Sequence, residues 1–168
     1  MSGLSATATL EQAKDWLRRR LDKGEQCPCC QQFAKVYRRG ITSTMALALI
    51  HIANSPDTVR DQDGFLHVSD YLKGIGTKGA LAAAQSADWA KLVAWQFIEQ
   101  ADRDRDDGSS RNGWWRITAD GMAFVQDRVT VPRYAKFYDS RVLGLEGDPV
   151  GIRDALGKRF DYYDLMQR

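Results

Sequence analysis

Apolar residues along this chain fall into short periodic segments separated by charged or turn-forming stretches. Over residues 9–22, TLEQAKDWLRRRLD, Leu10, Ala13, Trp16, Leu17 and Leu21 recur at helical spacing, with Thr9 placed to cap the start and Gly24 just past the end. FAKVYRRGI, residues 33–41, offers Phe33, Val36, Tyr37 and Ile41 for a short strand around a polar turn. TSTMALALIHIANSP, residues 42–56, predicts a helix with a Thr/Ser cap, an apolar run from Met45 to Ala53 and Pro56 after its end. Being apolar nearly all round, that helix belongs at the centre of the fold.

In DQDGFLHVSDYLKGIG, residues 61–76, Asp63-Gly64 predicts a turn and Phe65 to Val68 a short strand. Ser69 then caps a brief helix ending near Gly74 and Gly76. A longer helix is expected from about Ala80 to Trp95, carrying Leu81, Ala84, Trp89, Leu92, Val93 and Trp95. FIEQAD and WWRIT read as strands joined by the charged loop RDRDDGSSRNG, and ADGMAFVQD resumes as helix. From residue 129 onward β-branched and aromatic residues predict a hairpin turning at Asp139-Ser140. A final helix is expected from Ile152, with Leu156, Phe160, Tyr163 and Met166 on its apolar face.

The order from residue 43 to residue 125 resembles the winged-helix branch of the helix-turn-helix class. GFLHVSDYL resembles the strand leading into the second helix, and KLVAWQFIEQ the junction of third helix and first wing strand. GWWRITADGMAFV resembles the second wing strand entering the helix of MarR- and PadR-like regulators, with Thr118 as cap and Gly121 as a close-packing point. Small phage and mobile-element proteins that join such a domain to a C-terminal hairpin are also similar. The resemblance implies an α+β fold with a winged helix-turn-helix core. It implies three parts: residues 1–41 with a helix and a CPCC loop, the winged helix at 42–128, and a hairpin-and-helix extension at 129–168.

In DNA-binding members of that class the third helix enters the major groove and the wing touches the backbone or minor groove. Carried over here, the third-helix role falls on TKGALAAAQSADWAK, whose polar residues include Lys78, Gln85, Ser86 and Lys91, and the wing contributes Arg111. That helix lacks the Arg or Asn suited to a bidentate base contact. The wing holds four aspartates between Asp102 and Asp107 against Arg103 and Arg105, a charge that repels phosphate.

Charge over the whole chain is nearly balanced, with 24 basic and 22 acidic residues, so a nucleic-acid footprint has to be local. Arg18, Arg19, Arg20, Lys35, Arg38 and Arg39 flank the CPCC loop and would form a basic patch if the first helix and KVYRR lie side by side. An ordinary solvated helix face is the plain alternative.

Cys27 and Cys30 have the C-x-x-C spacing that lets two thiolates converge on one zinc ion, and Pro28 stiffens the turn. Two routes complete such a site: His51 or His67 within the chain, or the same cysteine pair from a second chain in a homodimer. Small buried hydrophobes at a turn are the bland reading of the same cysteines. A thioredoxin-like redox pair would need a βαβ context that is missing, and no nucleophile-base pair or phosphate-binding loop is present, so no enzyme is expected.

Of the adjacent pair Trp114 and Trp115, one must face outward, where the C-terminal extension is expected to cover it, with a contact to a partner protein as the alternative. No apolar run is long enough to span a membrane, and the start of the chain does not read as a signal peptide, so a cytoplasmic setting in a bacterial host is expected. The first functional expectation is a non-enzymatic, regulatory DNA-binding protein. The alternative is a protein-binding module on a repurposed winged helix, such as a phage-encoded inhibitor of a host or defence complex.

Overall fold

The structure, a computed structural model, describes residues 3–102 and 112–167. It is an α+β fold with three small antiparallel sheets, and no helix among the described residues is long and apolar enough to cross a membrane. The chain opens with α1 (Leu10–Arg18), capped as expected by Thr9, whose backbone N–H in turn donates to the Gln12 side chain at 2.8 Å. Strands β1 (Glu25–Gln26) and β2 (Phe33–Ala34) form a minimal hairpin around the cysteines, and β3 (Tyr37–Gly40) leads into the body.

Helix α2 (Ser43–Ala53) is the axis of the core. Thr42 caps it by accepting the Met45 amide at 3.2 Å, and every residue from Met45 to Ile52 is buried. Strand β4 (Leu66–His67) follows, then α3 (Val68–Ile75) and α4 (Lys78–Ser86). The cap of α3 is His67 rather than the expected Ser69: its Nδ1 accepts the Asp70 amide at 3.3 Å, which places Ser69 inside the first turn. Gly76, at φ 75°, supplies the left-handed residue between α3 and α4.

The long helix expected from Ala80 to Trp95 is broken. Ala87 takes φ 51°, and Asp88–Trp95 continues as a 3-10 segment. Tertiary packing overrides the local preference. Trp89 is buried edge-on against Trp115 with ring centroids 5.7 Å apart, and the Trp95 indole N–H donates to the Pro132 carbonyl at 2.7 Å.

Strands β5 (Ile98–Gln100) and β6 (Trp114–Ile117) pair antiparallel, and β6 also pairs with β4, giving the order β4-β6-β5. Thr118 caps α5 (Ala119–Val125), as expected. Trp115 is the inward member of its pair. Trp114 lies edge-on to His67 at 6.1 Å, in a groove with Val59, Tyr71 and Ile75, so the α3 side contributes to its cover.

Strands β7 (Val131–Tyr138) and β8 (Arg141–Val150) form the expected hairpin, with Asp139 and Ser140 in the turn at φ 49° and 60°. The expected final helix is two, α6 (Ile152–Leu156) and α7 (Tyr162–Met166), interrupted at Gly157, where φ is 63°. Strand β3 joins this hairpin in the order β3-β7-β8, with Tyr37 opposite Phe137 and Arg39 opposite Ala135. One core therefore gathers α2 with Trp95, Phe124, Ala135, Ile152 and Leu165, while the buried Ala13 and Ala34 lie outside it.

Candidate nucleic-acid interface

Helix α4 is built to sit close to its neighbours on one side and leave the other clear. Gly79, Ala80, Ala83 and Ala84 are its buried residues. A Cβ on Gly79 would lie 2.9 Å from the Phe160 ring and 3.2 Å from Leu47, so small side chains are what the close approach requires. The opposite face exposes Lys78, Leu81, Gln85 and Ser86. It thus presents one cation, two hydrogen-bonding side chains and one leucine.

The left-handed turn at Ala87 redirects the chain so that the 3-10 segment faces the β3-β7-β8 sheet. Between them runs a groove of about 720 Å³, lined by Tyr37, Arg39, Ser86, Lys91, Val93 and Phe137 and closed by Asp139 and Ser140. Lys91 is hydrogen-bonded to Asp88. Arg39 makes no ion pair among the described residues, and its guanidinium lies 5.7 Å from the Tyr37 ring centroid. Lys35 approaches the same ring at 6.0 Å.

The expected basic patch is divided. Arg38, on the opposite face of β3 from Arg39, is 2.9 Å from Glu146 and stacks 3.9 Å over the Tyr134 ring, and Lys136 reaches the same carboxylate at 3.7 Å. Arg18 pairs with Asp15 at 3.1 Å, Arg19 is exposed, and Arg20 stacks 4.4 Å from the Trp16 ring. The Leu21 carbonyl, just past α1, accepts the Val36 amide at 2.9 Å, which ties the end of α1 to KVYRR, while Arg38 and Arg39 leave β3 on opposite faces. Arg111, with the charged loop from 103 onward, lies outside the described residues.

At the CPCC turn all three cysteines are free thiols, Cys27 half-buried and Cys29 and Cys30 exposed. The backbone N–H groups of Cys30 and Cys29 and the Cys30 thiol hold the Cys27 thiol below the usual thiol pKa. His51 is buried on α2 beside Phe160 and Leu165, and His67 caps α3 with its Nδ1 also 3.0 Å from Asp70 Oδ2. Among the described residues no three Cys, His, Asp or Glu side chains converge as a metal site, so neither His51 nor His67 stands with Cys27 and Cys30.

Sequence reasoning singled out Arg39, Ser86 and Lys91 and missed the aromatic residues between them, Tyr37 and Phe137. Their signal was the alternation of Tyr37 with Arg39 and of Ala135 with Phe137, readable only once β3 and β7 are known to pair. Comparison with known protein families, characterised proteins and solved structures finds no match to this chain.

Proposed function

We propose that this chain is a non-enzymatic DNA-binding protein of the winged-helix kind, regulatory in role, that sets the exposed face of α4 against a duplex. The observation that carries the reading is continuity: the face bearing Lys78, Gln85 and Ser86 runs directly into the groove that holds Arg39 and Lys91. Support also comes from the succession α2, β4, α3, α4, β5, β6 with sheet order β4-β6-β5, the order a winged helix takes. In this reading Gln85 and Ser86 reach base edges, and Lys78, Arg39 and Lys91 meet phosphates.

The test is fluorescence anisotropy on a random duplex. Three phosphate contacts imply an affinity loss of about 40-fold between ~50 and ~200 mM salt. An absence of binding at the lower salt would overturn the reading.

One observation favours the second reading, a protein-binding module such as a phage-encoded inhibitor of a host complex. Leu81 is 37% exposed in the middle of the α4 face, and Arg18, Arg38 and Lys91 are already paired with carboxylates. Recovery of one host protein from nuclease-treated lysate, lost on Leu81→Asp substitution, would support it.

A further inference from the structure

Cys27 and Cys30 have the spacing of half a metal site, and we propose that this pair from two copies of this chain shares one zinc ion in a four-thiolate site. Strands β1 and β2 pair only at Glu25↔Ala34 and Gln26↔Phe33. Two backbone bonds close the turn between them: Cys27 N–H to the Gln32 carbonyl at 2.8 Å, and Gln31 N–H to the Cys27 carbonyl at 2.9 Å. Gln31, immediately after Cys30, takes φ 63°, a left-handed conformation that glycine adopts more readily. Cys27 and Cys30 thus stand on either side of a turn fixed by its own backbone bonds, at the C-x-x-C spacing that lets two thiolates meet one metal ion.

Burial does not account for this shape. Cys29, Cys30, Gln31, Gln32 and Phe33 are all exposed, Phe33 at 62%. A two-stranded ladder with no apolar core beneath its tip is marginal in water. Zinc held by thiolates would supply the stabilisation directly, the thiol protons passing to solvent as the Zn–S bonds form.

A tetrahedral structural site takes four ligands, and the Cys27 and Cys30 pair brings two. His51 is committed to the α2 core and His67 to the cap of α3. A second copy related by two-fold symmetry provides the identical pair, and the Phe33 ring beside the turn offers each copy apolar surface to bury.

The inference does not rest on DNA binding and is tested separately. The full chain, reduced and stripped with chelator, is titrated with Co²⁺ and then Zn²⁺ while thiolate-to-cobalt absorption, metal content and sedimentation mass are recorded. The expected result is one metal per two chains, with a doubling of mass that chelator reverses. Cys27→Ser and Cys30→Ser should each lose at least about a hundredfold in metal affinity and remain monomeric, whereas Cys29→Ser behaves as the parent. Tryptophan fluorescence confirms that the body of each variant is folded. One metal per monomer, a dimer that forms without metal, binding that survives both serine variants, or no cobalt spectrum would each overturn the proposal.

Discussion

Arg38 and Arg39 are adjacent in the chain and stand on opposite faces of β3, the first bonded to Glu146 at 2.9 Å and the second lining the groove with Ser86 and Lys91. Strand alternation enforces that separation, and it gives the two arginines different expected effects. Arg39→Glu should weaken duplex binding and reduce the salt slope by about 1, while Arg38→Gln leaves both unchanged. Salt-titrated anisotropy reads both quantities, and equal effects of the two substitutions would show that the groove is not the binding face.

Gly121 brings α5 against Phe97, the residue just before β5. A Cβ there would sit 2.2 Å from the Phe97 carbonyl oxygen and 2.9 Å from the carbonyl carbon, neither of which can rotate aside. Gly121→Ala is therefore expected to cost about 3 kcal/mol, measured by urea unfolding. A cost below ~0.5 kcal/mol would mean that α5 slides freely over this contact.

The turn joining β7 to β8 is occupied by residues that tolerate its geometry without being the best for it. Asp139 and Ser140 both have positive φ, the requirement of a type I′ turn, for which Asn-Gly is the preferred pair. The double substitution Asp139→Asn with Ser140→Gly should raise stability by roughly 1 kcal/mol. A lower midpoint of thermal unfolding would show that the Asp139 or Ser140 side chain makes a contact of greater value.

Tyr162 donates its phenolic hydrogen to the Val125 carbonyl at 2.8 Å. Burial raises its pKa above the ordinary value of 10.0, with the charges of Asp127 and Tyr163 acting in the same direction and Arg153 opposing them. The folded chain thus holds this proton more tightly than the unfolded chain. The resulting stabilisation is complete below the unfolded pKa and is lost as pH rises through the folded one. Tyr162→Phe should cost about 1 kcal/mol at neutral pH and flatten the fall in urea midpoint above about pH 10. An unchanged alkaline slope would exclude Tyr162 as its source.

Elements fixed by local chemistry were legible in the sequence. Thr9 and Thr118 cap the helices they were expected to cap, Thr42 supplies the cap expected of the Thr/Ser cluster before Met45, and the apolar run from Met45 became the buried axis. The break at Ala87 was not legible, because an alanine-rich stretch without Gly or Pro gives no local reason to stop. It is the burial of Trp89 against Trp115, contributed by a strand from beyond the charged loop, that bends the chain there. The candidate site shows the same division. Polar residues on α4 could be picked out one by one, but the pairing of Arg38 with Glu146 depends on a strand about a hundred residues away.

The ladder between β3 and β7 has a consequence for synthesis. About ninety residues separate the end of β3 from the start of β7, and at roughly 5–20 residues per second β3 waits ~5–20 s for its partner. During that interval its hydrogen-bonding edges are available to any other nascent strand. Arg38 and Arg39 then lie on both sides of the waiting segment, keeping it soluble until the hairpin arrives. Charges that serve different surfaces in the finished molecule share one task in the growing chain.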